Sequence, residues 1–236
     1  MRDFVALLGT PGRWGAVGEL KHAVLTDESG MHGAFGMGVF EYHNHYPEEG
    51  ALFDRAMLAK ARADVAAVLA GYDFSDRELI VDVGGGSGHL LDAILKKSGG
   101  RGALFEMPRV AERVAAGMPP FEVVAGDFFT DPLPPGDTYL LMQVVHDWAD
   151  EEARKILSAA RRAAWPGAKL LLIEVIIPEN SAPHPAHALD VLMMAVTGGR
   201  ERTESDYAAL MAEADWRLQR VVTLEGRGAI IEGIAA

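Results

Sequence analysis

Residues 79–90 read Leu-Ile-Val-Asp-Val-Gly-Gly-Gly-Ser-Gly-His-Leu. An apolar strand ends in Asp82 and turns through Gly84, Gly86 and Gly88 into a helical pattern. Glycine at alternate positions lets the backbone adopt φ > 0 and lets N–H groups approach a ligand with no Cβ in the way, so this is a nucleotide-handling turn. A dinucleotide turn spaces its glycines as GxGxxG, which counted from Gly84 would need a glycine where the chain has His89. The spacing here is DxGxGxG.

Outward from that turn, the chain of 236 residues is long enough for one α/β domain with a sizeable core and short for two. Apolar residues make up 49% and charged ones 24%, which is ordinary for a globular protein and argues against disorder. The formal charge of −12 and the lack of a Lys/Arg stripe argue against a nucleic-acid partner. Cysteine is absent, which removes disulfides and thiolate metal sites and fits a reducing compartment. The N-terminus lacks a signal-peptide core, and no apolar stretch is long enough for a membrane span, so the expectation is a cytoplasmic protein with no membrane partner.

From about residue 76 the pattern alternates strand and helix, the mark of a parallel sheet with covering helices. Strands are predicted at Leu79–Val83, Ala103–Glu106, Phe121–Val124, Thr138–Val145 and Lys169–Ile177, with helices at His89–Lys97, Pro108–Ala116 and Asp150–Ala164. Trp165-Pro166-Gly167 reads as the terminator of the last of these helices. Two more strands, Leu218–Leu224 and Gly228–Gly233, meet through a hairpin-like connection. Residues 1–75 differ: a loop-like stretch rich in Gly and His from Gly30 to His45 precedes a long helix from Pro47, and the segment reads as a helical lead-in without a core of its own. The division expected is 1–75 for that lead-in and 76–236 for the ligand-binding domain.

Three acidic residues, Asp82, Glu106 and Asp127, fall where strands of this sheet end, and open α/β sheets bind ligands at the carboxyl ends of their strands. Glu106, about 20 residues beyond the glycine turn, suits both hydroxyls of a ribose. Asp127 offers an acceptor for an adenine amine, and Phe128 an aromatic wall for its ring. Singly, each reads equally as a surface carboxylate of an acidic protein; together, at these offsets, they form a set. His146-Asp147-Trp148 follows the fourth strand. A phenol is a poor nucleophile until its proton leaves, and histidine is the side chain whose unperturbed pKa suits that task. Glu174, in an otherwise apolar strand, needs a partner if buried.

At this point the chain resembles the S-adenosylmethionine-dependent O-methyltransferases of the caffeic acid and flavonoid type, together with their bacterial antibiotic-pathway relatives. The residues that carry the resemblance are Phe53-Asp54-Arg55-Ala56-Met57, Tyr72-Asp73-Phe74-Ser75, Val81–Gly88, Gly126-Asp127-Phe128-Phe129, His146-Asp147-Trp148, Glu174 and Gly198-Gly199-Arg200-Glu201-Arg202-Thr203. The DxGxGxG turn itself is what Rossmann-like methyltransferases show. The resemblance implies an α/β fold with a Rossmann-like class I methyltransferase sheet, mostly parallel with an antiparallel C-terminal strand.

It also implies S-adenosylmethionine as cofactor, held by Asp82, Gly84, Gly86, Gly88, Glu106, Asp127 and Phe128, and an aromatic small molecule as methyl acceptor. His146 becomes the general base, with Glu174 and Glu201 flanking and orienting it. Asp147, Met193 and Met194 become the substrate contacts. No metal is implied: His43, His45, His184 and His187 have no accompanying acidic cluster, and the enzymes resembled are metal-independent. Two departures stand out. The helical N-terminal domain that dimerises family members is represented by a remnant, which weakens an expected homodimer, and Met142 replaces a lysine common in plant members. The alternatives are a relative that binds S-adenosylmethionine for decarboxylation or hydroxylation, a non-catalytic binding subunit and, weakest, a nicotinamide dehydrogenase.

Overall fold

The computed structural model describes residues 2–180, 182–226 and 228–236. In chain order the helices are α1 (Arg2–Leu8), α2 (Pro11–Gly18), α3 (Leu20–Thr26), α4 (Gly30–Phe35), α5 (Val39–His45) and α6 (Pro47–Gly71). Then follow β1 (Leu79–Val83), α7 (His89–Ser98), β2 (Arg101–Glu106), α8 (Pro108–Ala115), β3 (Glu122–Ala125) and β4 (Gly136–Met142). After a 3₁₀ turn at Val145–Asp147 come α9 (Asp150–Ala163), β5 (Ala164–Val175), α10 (Pro185–Val196), α11 (Glu204–Glu213), β6 (Trp216–Thr223) and β7 (Gly228–Ala235). Among the described residues no helix is long and apolar enough to cross a membrane.

Two compact units share this chain and do not follow a single cut in it. One comprises Asp64–Val145, Asp150–Ile176 and Thr203–Ala236; the other gathers Met1–Ala63, His146–Ala149 and Ile177–Arg202.

The first unit holds the sheet, in the order β3-β2-β1-β4-β5-β7-β6. β3, β2, β1, β4 and β5 run parallel, and β7 lies antiparallel to both β5 and β6. The strand order reverses beside β1, where β2 flanks one edge and β4 the other, and such a switch point opens a crevice beyond the strand ends. The strands read as continuous apolar runs because both faces are covered. On one face Leu90, Leu91 and Ile94 of α7 pack with Val68, Tyr72, Phe74, Leu104, Leu140 and Ile173. On α9, Ala153, Ile156, Leu157 and Ala160 make the buried stripe that 3.6-residue periodicity requires, and Leu157 O accepts a 3.0 Å bond from the indole of fully buried Trp216.

Most strand limits shift from expectation by one or two residues, and two shift further for a local reason. β4 stops at Met142 because Gln143 turns to φ +55° and the next two amides bond to a side chain instead of a strand. Trp165-Pro166-Gly167 lies inside β5, not beyond the helix: Ala164 already pairs with Gly136, and the ladder slips by a bulge before Thr138 meets Lys169. Proline is tolerated there because it sits at the irregular start of the strand.

The second unit is helical. Ala16, Met31, Val39, Tyr42 and Val196 form its buried cluster, with Phe35, Met37, Phe40 and Leu192 against it. Gly30–His45 is therefore mostly helix, contrary to the loop expected. Its glycines punctuate and pack: Gly36, at φ +69°, closes α4 by donating to His32 O, and a Cβ on Gly30 would fall inside the carbonyl oxygen of Ala16. Ser29 caps α4 by accepting from His32 N.

Candidate active site

The sheet unit presents the glycine turn at the end of β1. Gly84, Gly86 and Gly88 take φ of +68°, +60° and +70°, which any Cβ would strain, and nothing lies within 4 Å of where a Cβ on Gly86 would stand. Glu106, at the end of β2, is tied to this turn: its Oε2 accepts from Gly86 N at 2.9 Å and its Oε1 from Met107 N at 2.8 Å. Phe128 stands 4.0 Å from the Cβ position of Gly84, and Asp127, exposed at the end of β3, accepts from Phe129 N.

Asp82 is fully buried under the turn, and neither carboxylate oxygen meets hydrogen-bond geometry with a described residue. Burial first, and the charge of Glu106 second, push its pKa up to about 7, with the nearby Leu91 backbone N–H acting weakly in the opposite direction. The turn closes over it so tightly that a Cβ on Gly85 would overlap Oδ2. An orphaned buried carboxylate, an open glycine cradle and an aromatic ring beside it fit a ligand with a nucleoside and a polar amino-acid tail, which is the make-up of S-adenosylmethionine.

Glu174 lies in the same unit, in β5 opposite Ala229 of β7, with 1% of its surface exposed. Its Oε1 accepts from Val144 N at 3.2 Å and Val145 N at 2.9 Å. A buried carboxylate on two backbone amides is a charge-assisted brace, and it fixes the chain immediately before His146. Met142 packs against the sheet's apolar cluster.

The helical unit carries the rest. His146 is buried, and its Nδ1 lies 2.8 Å from Oε1 of Glu201, itself buried. A carboxylate only accepts, so Nδ1 carries the hydrogen and Nε2 is the basic nitrogen. Nε2 lies 3.8 Å from Asp147 Oδ1. Burial raises the pKa of Asp147; His146, Arg13 and Lys60 oppose the rise and Glu201 adds to it. A fifth of the Asp147 side chain stays exposed, so that burial is partial.

Residues 198–202 brace this loop. A Cβ on Gly199 would fall inside the backbone of His146 and Asp147. Fully buried Arg202 donates from Nη2 to Trp148 O at 2.9 Å, and Trp148 stacks on Phe40 at 5.8 Å. Glu201 N donates to Asp190 Oδ1 of α10 at 2.9 Å. Met193 is buried on α10 and Met194 half-buried.

His43, His45, His184 and His187, four of the chain's eight histidines, lie in this unit with neighbours of their own. His43 is buried 4.8 Å from the Phe53 ring, His45 faces Glu41 at 3.8 Å, His184 caps α10 through Ala186 N, and His187 approaches Ala182 O. Sequence reasoning missed Arg13, Asp190 and Arg202. An Arg wedged between Glu201 and Thr203 in a short buried stretch was the available signal for the last, since a buried guanidinium needs acceptors; Arg13 and Asp190 lie in ordinary helical patterns and carried none.

A sheet of this order with a DxGxGxG turn after its first strand and acidic residues at the next two strand ends defines a Rossmann-like, class I methyltransferase. More narrowly, the chain belongs to the O-methyltransferase domain family, whose model matches residues 17–217. It is 32% identical over 234 residues to phenazine O-methyltransferase PhzM of Lysobacter antibioticus, covering 96% of this chain and 69% of that one. It is 36% identical over 218 residues to the mitomycin biosynthesis 6-O-methyltransferase of Streptomyces lavendulae, covering 89% of this chain and 62% of that one. The chain thus spans about two thirds of the length of these relatives. Among solved structures it superposes, with a TM-score of 0.83 and 29% identity over 94% of this chain and 68% of that one, on the O-methyltransferase NcsB1 from neocarzinostatin biosynthesis, in complex with S-adenosyl-L-homocysteine and 1,4-dihydroxy-2-naphthoic acid.

Proposed function

We propose that the protein transfers a methyl group from S-adenosylmethionine to a hydroxyl of an aromatic small molecule, with His146 as general base. The observation that carries this reading is the buried His146–Glu201 pair at 2.8 Å, which sets the imidazole tautomer with Nε2 basic. Asp82, Glu106, Asp127, Phe128 and the turn of Gly84, Gly86 and Gly88 hold the donor. Bound there, S-adenosylmethionine supplies an electrophilic sulfonium methyl. His146 Nε2 takes the proton of the acceptor hydroxyl; the acceptor oxygen forms the new O–C bond as the S–C bond breaks. The products are an aryl methyl ether, S-adenosylhomocysteine and a proton on the imidazole, whose positive charge Glu201 stabilises. Glu174 holds the loop that presents His146. Asp147 orients the acceptor hydroxyl, and Met193 and Met194 give apolar contact to its ring.

The names of the relatives support the acceptor class, since phenazine and mitomycin methyltransferases and a naphthoic acid complex are among them. A homodimer and a cytoplasmic location complete the reading. Incubation with methyl-labelled S-adenosylmethionine and a panel of hydroxylated benzoic, naphthoic and phenazine acids, followed by mass analysis, tests it. One label per product and one equivalent of S-adenosylhomocysteine is the expected result; a product altered without label points to decarboxylation or hydroxylation instead.

A further inference from the structure

Asp190 was assigned no role by its sequence pattern, yet its Oδ1 accepts the backbone N–H of the residue that anchors the base. The chain of bonds runs Asp190 Oδ1 to Glu201 N at 2.9 Å, then Glu201 Oε1 to His146 Nδ1 at 2.8 Å. Asp190 precedes Met193 and Met194 by three and four residues, so the three share one face of α10. The segment between α10 and Glu201 is latched to that helix at several points. Met193 O accepts from Thr197 N, Thr197 Oγ1 and Gly198 N, and Thr197 Oγ1 in turn accepts from Gly199 N. Asp190 closes this latch on the far side, at the residue whose side chain meets the imidazole. Without it Glu201 N would lose its acceptor beside a buried carboxylate, and a displacement of a few tenths of an ångström there moves the acceptor of Nδ1–H.

We propose that Asp190 is a positioning residue that ties the substrate-facing helix α10 to the orientation of Glu201 and thereby fixes the tautomer of His146. This rests on the proposed role of His146, and the test reads the tautomer directly, without turnover.

Long-range ¹H–¹⁵N correlation spectra of the ¹⁵N-labelled full chain, with the His146 signals assigned by comparison with His146→Gln, report the ratio of Nδ1–H to Nε2–H forms. In the unmodified chain the Nδ1–H form dominates. Asp190→Ala lowers the ratio about tenfold, the size of one lost hydrogen bond. Asp190→Asn keeps an acceptor oxygen in place without the charge, and holds the ratio near its original value. Asp190→Glu, with its acceptor displaced by one methylene, stands in for the alanine variant if that does not fold, and also lowers the ratio. An unchanged ratio in Asp190→Ala, or an equal loss in Asp190→Asn, overturns the proposal, the second because it would mark a long-range charge effect. Absence of methyl transfer in the unmodified chain would strike the proposed function while the tautomer ratio still decides the role of Asp190.

Discussion

Glu201 presents Oε1 to His146 Nδ1 at 2.8 Å with no exposed side-chain surface of its own, while the imidazole keeps 9%. A carboxylate placed so dry against an imidazole favours one tautomer of the neutral ring and stands ready to stabilise the charge the ring takes on with a proton.

Glu201→Gln keeps the size and a possible acceptor but removes the charge. Turnover should fall about 10²-fold, within the span that general-base assistance supplies, with donor affinity measured by calorimetry unchanged. An equal loss in both would move Glu201 from the chemistry to the scaffold.

Asp82 gives the chain a pH-dependent stability of opposite sign to that of paired surface carboxylates. Its folded pKa, pushed up to about 7, exceeds the ordinary value of 3.8, so the native state binds more protons than the unfolded chain between those limits. Stability is full below about pH 4 and is lost as pH rises to about 7, by an amount on the order of a few kcal/mol. Asp82→Asn should remove this slope: chemical denaturation at pH 4 should find the two proteins alike, and at pH 8 the variant more stable. Parallel profiles would show that Asp82 ionises normally in the fold.

Gly199→Ala places a methyl group inside the backbone of His146 and Asp147. The loop must shift, at a cost of about 1–3 kcal/mol typical of overpacking, and the His146–Glu201 alignment shifts with it. Thermal unfolding should show the lost stability, and turnover should fall more than stability alone accounts for. Gly36→Ala, where the glycine stands in open space at positive φ, provides the control with a stability loss and no specific loss of turnover.

The parts of this molecule that could be read from its sequence are those encoded by local pattern. Asp82 and the alternating glycines mark the β1 turn because only glycine suits those φ values, and the apolar runs of β1, β2 and β4 mark a sheet covered on both faces. His146 and Glu201 stand 55 positions apart, and it was the motif around each, not any periodicity, that suggested they belong together. Asp190 was invisible for a physical reason: it acts on a backbone group, Glu201 N, and a backbone partner leaves no mark on the partner's residue type. Arg202 was visible as part of the motif at 198–203, but not its contact with another backbone group, Trp148 O. The stretch Gly30–His45 reads as loop because it is rich in Gly and His, whereas Gly30 serves close packing against Ala16 and Gly36 ends a helix. Glu174 was legible as a buried charge in need of partners, but not that Val144 and Val145 amides would be among them.

The most direct test of the account is the single-turnover rate of methyl transfer by His146→Ala, measured beside its affinity for S-adenosylmethionine, using an acceptor identified from the phenol panel. A rate lower by about 10²- to 10⁴-fold is expected, with donor affinity within a factor of about two of that of the unmodified protein. A rate near that of the unmodified protein would contradict the role of His146 as base.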